Sequence, residues 1–138
     1  MTAFGALRSL WRASAVLSPT RERPQELIAC LESAAALGRR LAEQVEATTD
    51  HEPRANAAAI CRWEILVLRD RVEGLRLPSE YERTRAQVVR RLEDAAVAAR
   101  QLSNGYRFPS LDRICEGGQA LDDHLEALGQ IRERLAAS

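Results

Sequence analysis

A thiol, an imidazole and several carboxylates stand close together in residues 114–128, ICEGGQALDDHLEAL. Such groups bind transition metals or transfer protons when they converge on one point. The side chains concerned are Cys115, Glu116, Asp122, Asp123 and His124. Whether they converge depends on the element that carries them.

On a helix these side chains point in different directions. Cys115 and His124 are nine positions apart, which places them about 180° apart around a helix at roughly 100° per residue. Glu116 and Asp123 fall together on the solvent side, and a lone pair of Cys115 with Asp122 does not make a metal site. We therefore predict no catalytic, metal-binding or cofactor-binding residues in this stretch, provided that the glycine pair at 117–118 does not break the helix.

The sequence also lacks the motifs of other active sites known in helical proteins. Neither His51 nor His124 follows a glutamate by three residues, as the histidines of di-iron bundles do. No nucleotide-binding glycine loop, serine nucleophile elbow or zinc motif is present in the sequence. The sequence therefore favours a protein that is not an enzyme and needs no cofactor, although it leaves the question of catalysis open.

The composition predicts an all-α protein. The chain has 138 residues, enough for one domain with a core, and only 4% of them are aromatic. Alanine, leucine, glutamate and arginine are abundant, and no stretch alternates apolar and polar residues as a strand does. We predict an N-terminal helix and linker over residues 1–20, followed by a four-helix bundle domain over residues 21–138.

The charges balance. All 20 basic residues are arginine, and 20 carboxylates oppose them, so the formal net charge is zero. Nucleic-acid binders usually carry a basic surplus, so the balance argues against such a partner. A nucleic-acid-associated role through the pairs Arg39-Arg40 and Arg90-Arg91 ranks third among our hypotheses, because nearby glutamates offset both pairs.

The cysteines and the hydropathy predict a cytoplasmic protein. Cys30 and Cys61 lie within apolar stripes and Cys115 lies at the edge of one, as reduced, largely buried thiols would. Arg8 and Arg12 interrupt the early apolar stretch, so we expect no secretory signal. No run is long and apolar enough to span a bilayer.

Prolines mark the predicted helix boundaries, because a proline in the first turn costs no hydrogen bond. The prolines that precede helical patterns are Pro24, Pro53, Pro78 and Pro109. The predicted long helices lie near 24–48, 53–74, 79–104 and 110–136. Short links favour antiparallel neighbours, so we predict an antiparallel up-down-up-down four-helix bundle. Gly74 and Gly105 are expected to end the second and third helices in a left-handed conformation.

Each predicted helix carries one apolar seam for the core. The second helix has apolar residues at alternating three- and four-residue steps from Ala58 to Leu75, and the fourth helix has them from Leu111 to Leu128. Gly38 and Gly118 lie in the centres of their seams and predict close approach of two helices. Arg85 lies within the seam of the third helix, so we expect it to need a carboxylate partner or a route to solvent.

The second helix is apolar on two sides. Ile60, Trp63 and Val67 lie nearly opposite its core seam, so another element or a partner should cover them. In the segment 1–17, Phe4, Leu7, Leu10 and Trp11 form a second apolar stripe that predicts a short amphipathic helix. That helix has three candidate docking sites: a bundle of the same kind, in the same chain or a neighbouring copy; another protein; or a membrane surface.

Our leading functional hypothesis is a non-catalytic helical bundle that acts through protein–protein contacts, as an oligomeric scaffold or accessory subunit. The partner would be a second copy, as in a homodimer, or another protein. The alternative is a bundle or enzyme that binds a small ligand in a pocket near Cys61, Trp63, Arg85 and Gly117-Gly118.

Overall fold

The computed structural model describes residues 24–137, which are almost entirely helical. Among these residues there are four α-helices and no strand, which confirms the all-α prediction. We label the helices α1 (Gln25–Glu46), α2 (His51–Gly74), α3 (Glu82–Arg107) and α4 (Leu111–Ala137), and a 3-10 turn at Ser79–Tyr81 precedes α3. The predicted N-terminal helix, with Phe4, Leu7, Leu10 and Trp11, lies outside the described residues.

The four helices pack against one another as a helical bundle. Helix α1 contacts α2 and α4, and α3 contacts the same two helices. The core is built mainly from leucine and alanine, with Leu27, Ile65 and Leu92 almost fully buried. The predicted seam of α2 is confirmed, because Ala58, Cys61, Ile65, Leu68 and Val72 are all buried.

The seam of α4 was predicted wrongly at its first residue. The side chain of Leu111 is 75% exposed. Ile114 already lies opposite Gly105, near the end of α3. Leu111 is one turn further out, where α3 has ended at Arg107 and none of the four described helices covers it.

The predicted left-handed helix ends are also wrong. Neither Gly74 nor Gly105 has a positive φ. Helix α3 continues through Gly105 to Arg107, and α2 gives way after Gly74 to Leu75 in an extended conformation. A glycine followed by an apolar residue therefore does not mark a left-handed helix end in this chain. Gly105 is instead buried inside α3.

Arginines from the following helix bind the carboxyl ends of α1 and α2. The Nε of Arg54 donates to the carbonyl oxygens of Val45 and Thr48 at 2.9 Å each. The Nη1 of Arg85 donates to the carbonyl oxygens of Val72 and Glu73, also at 2.9 Å. The last carbonyls of a helix lack partners and carry partial negative charge, so a cation stabilises them.

Arg85 therefore binds two backbone carbonyls as well as a carboxylate, the kind of partner that its position in the seam predicted. Its Nη2 donates to Glu82 at 3.1 Å, in addition to the two carbonyls of α2. Its Nε is buried without a hydrogen-bond partner in the described part of the chain. The arginine thus ties the start of α3 to the end of α2.

Polar side chains also join each contacting pair of helices at its rim. These contacts have donor–acceptor distances of 3.0–3.2 Å and lie at partly exposed positions. The pairs are Arg40–Glu64, Arg69–Glu93, Glu32–Arg132 and Arg91–His124. Because exposed ion pairs contribute only about 0–1 kcal/mol each, they select the register of the helices more than they stabilise the bundle.

The backbones of α3 and α4 come very close at two glycines. A Cβ on Gly117 would lie 2.8 Å from the backbone nitrogen of Leu102, and a Cβ on Gly105 would lie 2.9 Å from that of Ile114. The prediction for Gly118 was wrong, because a Cβ there would meet only the Leu102 side chain at 4.0 Å. At Gly38 a Cβ would lie 2.6 Å from Cδ1 of Leu125, so close approach is confirmed there.

We expect Gly117→Ala and Gly118→Ala to change stability in opposite directions. At Gly117 the new methyl group meets backbone atoms that cannot rotate away, so the free energy of unfolding should fall by about 1–3 kcal/mol. At Gly118 the space is open, and the better helix propensity of alanine should raise it by up to about 1 kcal/mol. Urea denaturation followed by circular dichroism measures both values. Equal effects of the two substitutions would contradict the close approach at Gly117.

Candidate functional site

The outer side of α2 carries the most concentrated apolar surface in the described chain. The side chains of Ile60, Trp63 and Val67 are 56%, 66% and 51% exposed. They are spaced three and four residues apart, so they share one side of the helix, away from the buried Cys61 and Ile65. We call these three residues the α2 face. Their predicted position, opposite the core seam, is confirmed.

The α2 face borders a shallow groove between α1 and α2. Val67 lines this groove together with Leu37 and Leu68, and its volume is about 210 Å³. Glu64 and Arg71 also line it. Since Glu64 is paired with Arg40 at 3.1 Å, part of the charge beside the apolar surface is neutralised.

The chemistry of the α2 face suits contact rather than catalysis. It holds no nucleophile or proton-transfer pair, and from Ile60 to Val67 it extends roughly 10 Å along the helix axis at 1.5 Å per residue. An exposed tryptophan among aliphatic side chains, with a charged rim, is the usual composition of an interface centre.

The reactive side chains of α4 stay apart. Helix α4 passes both glycines of the 117–118 pair without a break, so the helical geometry applies. Cys115 is exposed, His124 accepts a hydrogen bond from Arg91 at 3.0 Å, and Asp123 accepts one from Gln119 at 2.9 Å. Within residues 24–137, no three His, Cys, Asp or Glu side chains are grouped so as to hold a metal ion.

The residues of the alternative pocket are not brought together either. Cys61 is buried in the core, whereas Trp63 points outward from the same helix. Arg85 binds the end of α2, and Gly117 lies against Leu102. Arg85 and Leu102 are 17 positions apart on α3, or roughly 25 Å at 1.5 Å per residue, so one pocket of small-molecule size does not span them.

Two surface features escaped the sequence reasoning. Phe108 is 67% exposed at the corner between α3 and α4, near the exposed end of α4. A groove of about 320 Å³ between α3 and α4 is lined mainly by arginine and glutamine. The polar residues of this arginine groove are Gln87, Arg90, Arg91, Gln130 and Arg134. The repeated spacing of Gln and Arg on both helices was its only signal in the sequence.

Comparisons of the chain with protein-family models, with curated proteins and with solved structures each found no match. Among the described residues, no helix combines the length and the apolar character needed to cross a membrane.

The predicted burial of the thiols is confirmed for Cys30 and Cys61 and wrong for Cys115. Cys30 and Cys61 are buried and Cys115 is exposed, and all three are free. Burial raises the pKa of the Cys61 thiol to about 11, an effect that the charge of Glu64 increases and that of Arg40 reduces. Burial also raises the pKa of Cys30.

We expect the free energy of unfolding to fall as the pH rises from about 9 to about 11. The ordinary thiol pKa is 9.0, so above that pH the unfolded chain gains stability by losing the Cys61 proton, whereas the folded chain keeps the proton up to about pH 11. Urea denaturation across this range measures the slope. Cys61→Ala should make the slope smaller, and adding Cys30→Ala should reduce it further, because burial raises the pKa of both thiols. A slope that Cys61→Ala does not alter, or rapid labelling of Cys61 by a thiol reagent in the folded protein, would contradict its burial.

Proposed function

We propose that this protein is a non-catalytic helical bundle that acts through protein–protein contacts, as an oligomeric scaffold or accessory subunit. The observation that carries the proposal is the α2 face, where Ile60, Trp63 and Val67 are each more than half exposed. Burying a large apolar side chain contributes roughly 1.5–3 kcal/mol, so covering all three would stabilise a complex. A second copy of this chain is the partner we favour, and another protein is the alternative.

We also propose that the bundle has the antiparallel up-down-up-down topology. Contacts between neighbours in sequence support it, because the residue numbers run in opposite directions. On α2 and α3, Ala55 meets Ser103 and Arg69 meets Glu93. On α3 and α4, Leu102 lies against Gly117, whereas the earlier Arg91 lies against His124. In this arrangement the α2 face points away from the core, about halfway along the bundle.

The cytoplasm is the location we propose. The free thiols of Cys30, Cys61 and Cys115 support it, since cysteines in oxidising compartments are usually paired.

A pair of valines offers a matched test of the α2 face. Val67 on α2 and Val97 on α3 are 51% and 66% exposed, and each lies in the interior of a helix. We expect Val67→Asp to weaken self-association by about tenfold or more, because a charge would be desolvated at the contact. Val97→Asp should leave self-association unchanged. Sedimentation equilibrium at several protein concentrations gives the molar mass of each variant.

The proposal of a homo-oligomer fails if the unmodified protein stays monomeric at every concentration. It also fails if the two aspartate variants dissociate equally, because the effect would then come from charge alone. In the first case, the α2 face would be covered by the N-terminal segment of its own chain or would bind a different protein.

The N-terminal segment is the cover that we propose for the α2 face, within one chain or across two copies. Deleting residues 1–18 should leave the helical bundle formed, but should lower its stability by a few kcal/mol or dissociate the oligomer, because the apolar stripe of Phe4, Leu7, Leu10 and Trp11 would be lost. Thermal melting followed by circular dichroism, together with sedimentation, measures both effects. If melting and molar mass both stay unchanged, the segment is not the cover and the α2 face needs a different partner.

A further inference from the structure

An apolar groove between α1 and α4 reaches into the core of the bundle as far as α3. Its volume is about 210 Å³, and we call it the α1–α4 groove. Spaces between the helices of a bundle are a common place for small-molecule sites. The apolar side chains that line this groove include the buried Leu41, Leu102 and Leu121 and the partly buried Val45, Ile114 and Leu125.

Gly118 lines the α1–α4 groove, and close packing does not explain why this residue is a glycine. A Cβ on Gly118 would meet only Cδ1 of Leu102, at 4.0 Å, whereas a Cβ on Gly117 would lie 2.8 Å from a backbone atom of α3. Glycine is a poor helix former, so Gly118 costs stability in the middle of α4. Its effect on the surface is to leave open the part of the groove in front of it.

Asp122 is the one charged residue among the described residues that line the groove. It follows Gly118 by four positions, so the two residues share a side of α4 and lie roughly 6 Å apart along the helix axis. Within residues 24–137, the Asp122 carboxylate has no ion pair or hydrogen bond. The groove therefore offers an unpaired negative charge one helical turn from its open apolar space.

The volume and the lining limit the ligand. An apolar cavity of about 150 Å³ holds a benzene molecule, so about 210 Å³ is enough for one ring with a short chain. Burying a polar group without a partner is unfavourable, so the apolar lining disfavours a sugar or a nucleotide. The charge of Asp122 attracts a cation and repels an anion.

We infer that the α1–α4 groove binds a small organic amine with a single apolar ring. The ring lies in front of Gly118, against Leu102 and Leu121, and the ammonium group lies beside Asp122. A primary ammonium group has three N–H donors, and a carboxylate accepts such hydrogen bonds well. The spacing of one helical turn suits a short link between the ring and the nitrogen. The inference does not rest on the proposed function, because no residue of the α2 face lines the groove.

NMR titration of the full chain with 2-phenylethylamine tests the inference. The test variant is Gly118→Leu, whose side chain would fill the groove. The matched control is Gly129→Leu on the same helix, where a Cβ also has open space and which lies outside the lining. The affinity should fall by about tenfold or more for Gly118→Leu and by less than about twofold for the control. Circular dichroism checks that both variants keep their helices.

A second pair of variants tests the ammonium contact at exposed positions, where a substitution leaves the core intact. Asp122→Asn should lower the affinity for 2-phenylethylamine by about threefold to tenfold, because asparagine lacks the charge. Asp123→Asn removes the same charge one position away, outside the lining, and should change the affinity by less than about twofold. The neutral 2-phenylethanol should bind both variants equally.

Several results would overturn the inference. It is wrong if 2-phenylethylamine does not bind, or if either test variant loses no more affinity than its control. It is also wrong if Gly118→Leu lowers the molar mass in sedimentation equilibrium, because the groove would then hold a second copy of the chain. A change in the amide signals of residues 4–11 in Gly118→Leu would likewise contradict it, because the N-terminal segment would then be the occupant.

Discussion

The contact between the backbones of α3 and α4 at Gly105 and Gly117 is the constraint on which the rest of the structure depends. Each helix contributes one glycine, and each glycine faces a backbone nitrogen of the other helix, that of Ile114 or that of Leu102. Since a backbone cannot move aside as a side chain can, this reciprocal contact admits one register. The register places Arg91 beside His124 and sets Arg134 beyond it, at the far end of the arginine groove.

The arginine caps impose a second constraint on the bundle. Arg54 reaches back to the carbonyls that end α1, and Arg85 reaches back to those that end α2. Both contacts join segments close in sequence, so they fix the two corners at little cost in chain entropy. Helix α2 is thus held at both ends, and its core seam packs against α1 and α3. Its outer side is left without a neighbour among the described helices, which is why Trp63 is exposed.

Features that depend on one helix alone were predictable from the sequence. The seam from Ala58 to Val72 and the position of Ile60, Trp63 and Val67 opposite it both follow from the period of 3.6 residues, which needs no knowledge of the neighbours. The separation of Cys115 from His124 followed in the same way.

Features that depend on the register between helices were not predictable. The sequence favoured Gly118 because it lies in the centre of the seam, but the α3 backbone passes over Gly117, one position away. The pocket of Cys61, Trp63, Arg85 and Gly117-Gly118 failed for the same reason, since no pattern along the chain gives distances between helices. The Arg90-Arg91 pair was judged against its neighbours in sequence, whereas its neighbours in space come from α4, about 40 residues away.

Charged side chains line the surface on both sides of α3. Arginines and carboxylates are equal in number, but Arg69 and Arg85 hold glutamates on the α2 side of α3. On the α4 side, Arg91 and Arg134 line the arginine groove. Helix α3 separates this groove from α2, so the α2 face and the groove share no residue. A partner bound on the α2 face would therefore leave the arginine groove open.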